Sequence, residues 1–146
     1  MISTKGRYAL RFMMDLAEQP EGSIVPLDAV AARQNISKKY LEVIVKILVK
    51  GKLVKGTSGK GGGYRLLRAP EDYSVGEILE LAEESLAPVA CLQPGADPCD
   101  RESFCKTMPM WREYNELIHN FFYSKKLTDL TEPALKEKDL MKYSCL

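Results

Sequence analysis

The sequence predicts a mainly α fold that carries one two-stranded β-hairpin and a long C-terminal helix. Apolar residues recur at the 3.6-residue helical period through three successive segments between residues 4 and 50. Five glycines crowd into the eight residues 56–63, between two short apolar stretches, which suits the tip of a hairpin and no helix. Residues 108–126 then carry Trp111, Tyr114, Ile118, Phe121 and Phe122, again at helical spacing.

Each element follows from local signals. Thr4 is expected to cap a first helix running to about Gln19, with Ala9, Phe12, Met13, Leu16 and Ala17 on one face and Lys5, Arg7 and Arg11 beside it. Pro20, Gly22 and Pro26 interrupt the chain. A short helix, Leu27 to about Gln34, turns Val30 and Ala31 inward and stops at Asn35. Ser37 caps a third helix, Lys38 to about Lys50, with Leu41, Ile44, Val45 and Leu48 as its buried stripe and Gly51 as its stop. Its opposite face holds Lys39, Glu42, Val43, Lys46 and Lys50. Strands are expected at about 53–55 and 64–67, joined by the GTSGKGGG tip. Ser74 and Glu77 form a capping box for a fourth helix, Val75 to about Ser85. A Pro, Gly and Asp-rich loop spans 88–106, and Thr107 opens the long fifth helix, with Pro109 tolerated in its first turn. A last short helix, Thr131 to about Asp139, precedes the tail.

At 146 residues the chain can bury roughly two-thirds of its surface without disulfide or metal staples. Its 45% apolar and 28% charged residues are those of a globular domain and exclude a disordered one. No apolar run approaches the roughly 18 residues that span a bilayer, and MISTKGRYAL is too polar for a secretory signal. A cytoplasmic protein with no membrane association is expected. His119 is the single histidine, which argues against a hydrolytic triad and against a multi-histidine metal site, and no constellation supports an enzyme.

The net charge of +1 conceals a division. Residues 1–68 hold thirteen Lys and Arg against five Asp and Glu, a net of +8, whereas 69–146 hold eight against fifteen, a net of −7. The first half can therefore neutralise a polyanion that the second half repels. Residues 36–68 alone carry nine cations and one acid, Glu42, which places the charge on the third helix and the hairpin. Helix, short helix, helix and basic hairpin is the order of a winged helix-turn-helix. There a helix fits the DNA major groove and the adjacent wing reaches backbone or minor groove. The glycine tip superficially suggests a phosphate-binding loop, but Lys60 is followed by Gly61 and the next segment, YRLL, reads as a strand. As a wing tip it brings backbone amides and Lys60 close to phosphates. The fifth helix, nearly 30 Å long at about 1.5 Å per residue, exposes more apolar surface than a small domain buries alone. It points to an antiparallel partner helix and a homodimer.

Four cysteines, Cys91, Cys99, Cys105 and Cys145, all lie outside the basic half. The spacing Cys91-x7-Cys99-x5-Cys105 is not that of a zinc ribbon. In a cytoplasmic protein, clustered thiols on a loop suit iron–sulfur ligation, free thiols or a reversible disulfide. A fourth ligand would come from Cys145, Asp97, Asp100, Glu102 or a second subunit; His119 lies three to four turns into the fifth helix.

STKGRYAL, ISKKYLEVIVKILVKGKLV, GKGGGYRL, SVGEILELAE and the cysteine loop followed by MWREY occur in this order. In them the chain resembles, nearly end to end, the bacterial winged helix-turn-helix regulators of the IscR, NsrR and CymR type, and within these the iron–sulfur assembly regulators. The resemblance implies a dimeric transcription regulator, paired through the fifth helix, whose DNA affinity a cluster tunes. It implies that Cys91, Cys99 and Cys105 hold that cluster, 2Fe–2S or 4Fe–4S. Met108 stands where the assembly regulators have a histidine, and Arg7 falls near an acidic residue of the nitric-oxide-sensing relatives. Lys39, Tyr40 and Glu42 match recognition-helix positions. Val43 replaces a glutamine and Ser58 a wing arginine, which implies a different operator.

The reading is a homodimeric, sequence-specific DNA-binding regulator in three parts. Residues 1–70 bind DNA, 71–106 form a linking helix and cysteine loop, and 107–146 hold the dimerisation helix and tail. Lys5, Ser37, Lys38, Lys39, Tyr40, Glu42, Val43, Lys46, Ser58 and Lys60 are expected to meet a pseudo-palindromic duplex. Trp111, Tyr114, Ile118, Phe121 and Phe122 are expected to form the dimer interface. The rivals are a cluster-free regulator gated by thiols or a partner protein, and a winged-helix protein-interaction module.

Overall fold

The computed structural model describes residues 1–131. The helix expected at 131–139 and Cys145 lie outside these residues. The order is α1 (Thr4–Ala17), α2 (Leu27–Gln34), α3 (Lys38–Lys50), β1 (Val54–Thr57), β2 (Gly63–Leu66), α4 (Val75–Glu83) and α5 (Met108–Ser124), with short 3-10 turns between some of them.

Phe12, Met13, Val30, Leu41, Ile44, Leu48, Tyr73, Ile78 and Leu127 form one buried cluster to which α1 to α4 all contribute. A buried Leu, Ile or Phe contributes about 1.5–3 kcal/mol through removal from water. The stripe expected of α3 is buried as anticipated, and Ser37 caps that helix through a bond from the Tyr40 amide. Helix α2 ends at Asn35 in the left-handed conformation, φ 51°.

Several boundaries differ from the sequence expectation. The cap of α1 is Ser3, whose hydroxyl accepts from the Lys5 and Gly6 amides; Thr4 is already helical. Helix α1 stops at Ala17, not Gln19, because a residue preceding proline is driven out of helical geometry. Helix α4 ends two residues early, where Glu84 turns left-handed at φ 67°. Helix α5 ends at Ser124, not Lys126. Past it the chain is claimed by the segment before α4: the Val75 amide donates to the Lys125 carbonyl at 2.8 Å, and the Leu127 amide to the Tyr73 carbonyl at 3.0 Å. Thr107 precedes α5 but gives it no side-chain cap.

The wing is a regular antiparallel pair in the register Val54↔Leu66 to Thr57↔Gly63. Its strands run further toward the tip than residue preferences suggest, since Gly56, Thr57 and Gly63 are paired. The turn is thus residues 58–62 only, with Gly59 and Gly61 at φ 89° and 76°, where a side chain would be strained. Val25 exchanges both backbone bonds with Tyr64, at 2.8 and 2.9 Å, and ties the loop before α2 to the wing.

Candidate nucleic-acid interface and cysteine loop

The packing of α3 decides what it presents outward. With Leu41, Ile44, Val45 and Leu48 buried, Lys39, Glu42, Val43, Lys46 and Lys50 are left exposed. Val43 is 51% exposed. A cleft lined by Val45, Lys46, Val49, Lys50, Gly56 and Tyr64 joins the end of α3 to the base of the wing. Ser58 and Lys60 are exposed in the wing turn. The outward side of α3 and the wing turn thus both expose lysines, those of α3 bordering the cleft to the wing.

Other expected DNA-facing residues already have partners. Ser37 serves as the cap of α3. Lys38 is ion-paired with Asp28 at 2.9 Å, and that hydrogen-bonded carboxylate raises its pKa. Tyr40 stands edge-on against Tyr8 of α1, with ring centroids 5.5 Å apart. Lys5 is half-buried in the first turn of α1. Arg11, from the same basic group, packs over the Tyr8 ring and bonds Gln34 of α2.

On α5, Met108 alone is buried among the described residues. Met110, Tyr114, Leu117 and Phe121 are 52, 48, 61 and 56% exposed. Trp111, Ile118 and Phe122, half-buried beside them, line a groove with Met1, Ile2, Leu86 and Pro88. The five ridge residues read from the sequence thus divide between outward and flanking positions. Leu117 and Met110, which the ridge read from the sequence leaves out, are exposed with them, and the spacing 110, 114, 117, 121 is itself a helical stripe.

Residues 85–107 contribute nothing to the buried core. Cys91 and Cys99 are exposed, Cys105 is partly covered, and all three are free thiols. Cys105 has the most defined surroundings. Its sulfur lies 3.5 Å from the Thr107 hydroxyl, and that hydrogen bond, with the Thr107 amide and the nearby Arg101, lowers its thiol pKa. An ion pair between Glu102 and Arg112, 2.9 Å, fastens the loop to α5. Three surface thiols are the donor type that iron–sulfur clusters use. Met108 is buried at 6% exposure and borders a cleft that Glu102 and Cys105 also line. His119 is stacked on Tyr123 with ring centroids 4.2 Å apart. Among the described residues, no three His, Cys, Asp or Glu side chains converge as a metal site.

Comparison with known proteins matches residues 2–133 to the Rrf2 family model, described as an iron-dependent transcriptional regulator. The transcriptional regulator IscR of Aliivibrio salmonicida is 35% identical over 129 residues, 88% of this chain and 76% of that protein. Among solved structures, the IscR of T. potens superposes with a TM-score of 0.73 at 31% identity, covering 95% of this chain and 92% of that one. CymR, the global cysteine regulator of B. subtilis, superposes at 0.72 and 31% identity, covering 94% and 98%.

Proposed function

This chain belongs to the Rrf2 family of transcriptional regulators, and on that premise we propose that it reads duplex DNA as a homodimer through α3 and the wing, with the cysteine loop as its sensing element. The observation that carries the DNA reading is the face of α3: Lys39, Glu42, Val43 and Lys46 stand free of the core, and Lys46 and Lys50 border the cleft between α3 and the wing. Lysines supply the salt-dependent attraction to phosphates, while Val43 and Glu42 are suited to base edges. The wing turn, with Lys60 and bare glycine backbone, suits a phosphate contact. Two copies related by a two-fold axis through α5 would present two such helices to a pseudo-palindromic operator.

For sensing, Cys91, Cys99 and Cys105 would hold an iron–sulfur cluster, with Cys145, Asp97, Asp100, Glu102 or a partner subunit as candidates for the fourth position. Such a group supplies sensitivity to iron and oxidants. The chain's own part is to offer thiolates, which the lowered pKa of Cys105 favours, on a loop whose scant apolar packing leaves its ordering to the bound group.

Two measurements test this. Duplex binding measured against salt should fall steeply if lysines on one face neutralise phosphates; a chain with no duplex affinity at low salt is not a DNA-binding regulator. Protein purified without oxygen should be brown, with thiolate-to-iron absorption bands. Colourless protein with full DNA binding would remove the cluster and leave a thiol-gated regulator centred on Cys105.

A further inference from the structure

Glu83, the last residue of α4, reaches across to the first turn of α1. One oxygen, Oε1, accepts from the Ser3 amide at 2.9 Å, the Ser3 hydroxyl at 2.8 Å and the Gly6 amide at 3.1 Å. A carboxylate is well placed there, since the first amides of a helix lack internal partners and carry its positive dipole end. The approach depends on Gly6, where a Cβ would lie 2.2 Å from the same oxygen. On one side of this clasp, Glu84 turns left-handed and the chain enters the cysteine loop. On the other, Lys5 sits between the clasped residues, and Tyr8 follows to stand edge-on against Tyr40 in the first turn of α3. Hydrogen bonds, the backbone of α1 and one ring contact therefore link the end of α4, from which the chain leads to the cysteine loop, with α3.

We propose that the Glu83 clasp transmits the state of the cysteine loop to the DNA face, Glu83 being a positioning residue for Lys5 and Tyr40. The inference rests on the reading of that loop as the sensing element. Ordering the loop fixes the end of α4, and Glu83 then sets where the first turn of α1 lies.

The probe is one duplex selected from a random-sequence pool by the wild-type protein. Affinity is measured for protein loaded with ferrous iron and sulfide without oxygen, and again after chelation. In wild type the two dissociation constants should differ by about 5–150-fold, the usual range of such coupling. Glu83→Ala, which removes the acceptor, and Gly6→Ala, which wedges the clasp open, should keep iron content but bring the ratio below about twofold. Glu83→Gln, which retains the acceptor oxygen, should recover most of it. Hydrogen exchange at the Gly6 amide should change with iron loading in wild type. A full wild-type ratio in folded Glu83→Ala or Gly6→Ala overturns the proposal. So does Gly6 exchange that is identical in loaded and stripped wild type, which requires no variant. Equal affinities of loaded and stripped wild type would instead bring down the sensing reading, and this inference with it.

Discussion

The carboxylate of Asp15, 2% exposed on α1, is gripped by the guanidinium of Arg33 on α2 at 2.6 and 3.0 Å, and Gln34 adds a third bond at 3.0 Å. This pair ties α2 to α1. Its two ends are not equivalent, because the Arg33 side chain is 41% exposed and can return to water, whereas Asp15 cannot. Arg33→Ala should therefore cost about 1–3 kcal/mol, the usual cost of leaving a buried acceptor short of a partner, with the Gln34 bond remaining. Asp15→Asn should cost clearly less. Urea unfolding of both variants checks the order; equal losses would mean that the carboxylate is hydrated after all.

Lys39→Ala and Lys46→Ala should each weaken duplex binding and reduce the salt slope by about one ion. Lys38→Ala should do less, since Asp28 already holds that ammonium. Val43 is expected to contact a thymine methyl. Replacing thymine by uracil through the selected duplex should weaken wild type but not further weaken Val43→Ala. If Lys39→Ala binds as wild type does, α3 is not the reading helix.

The helices were legible because their signals are local: the stripe of α3, the Ser37 cap and the Ser74–Glu77 box all lie within one segment. What escaped depends on partners far along the chain. Glu83 meets Ser3 and Gly6 across some eighty residues, and nothing near position 83 announces it. Helix α5 ends early because Val75 and Tyr73 claim the backbone beyond it. Tyr40 is held edge-on against Tyr8, a ring contact between helices that periodicity alone does not give. The cysteine loop is the reverse case. Its residue types were plain, but a loop without core residues leaves the mutual placement of its thiols unspecified by packing.

The exposed stripe of Met110, Tyr114, Leu117 and Phe121 leads to a test of assembly. Wild type should sediment as a dimer at micromolar concentration. Leu117→Asp and Phe121→Asp should sediment as monomers with the far-ultraviolet helix signal retained, since substitutions at exposed positions usually change stability by within about 0.5 kcal/mol. Dimers in both variants would place the interface elsewhere.

Tyr123 of α5 donates its hydroxyl to the Glu80 carboxylate of α4. Burial, and then that carboxylate, push its pKa from 10.0 up to about 12. The folded state thus holds this proton more tightly than the unfolded chain does. Its contribution to stability is complete below pH 10 and is lost as pH rises toward about 12. Wild type should exceed Tyr123→Phe in urea midpoint by a constant margin up to about pH 10, and the margin should shrink above it. A margin that does not depend on pH in that window would show that the hydroxyl is not held by Glu80.

The cysteines allow the most discriminating experiment. If three thiolates are essential ligands, Cys91→Ala, Cys99→Ala and Cys105→Ala should each abolish iron and sulfide content in protein handled without oxygen. Each should also shift operator affinity or choice, because the ordering of the loop is lost with the ligand. The fold gives no competing reason for such a loss. Cys91 and Cys99 are exposed, Cys105 is only partly covered, and none belongs to the core, so all three variants should melt close to wild type. Cys145, outside the described residues, is the fourth thiol. Its replacement should leave iron content intact unless it supplies the remaining ligand, in which case Cys145→Ala joins the other three. Full iron occupancy in Cys99→Ala would exclude the three-cysteine site. If DNA binding then still responds to oxidant, the change should be lost in Cys105→Ala, whose thiol is the one favoured as thiolate by Thr107 and Arg101.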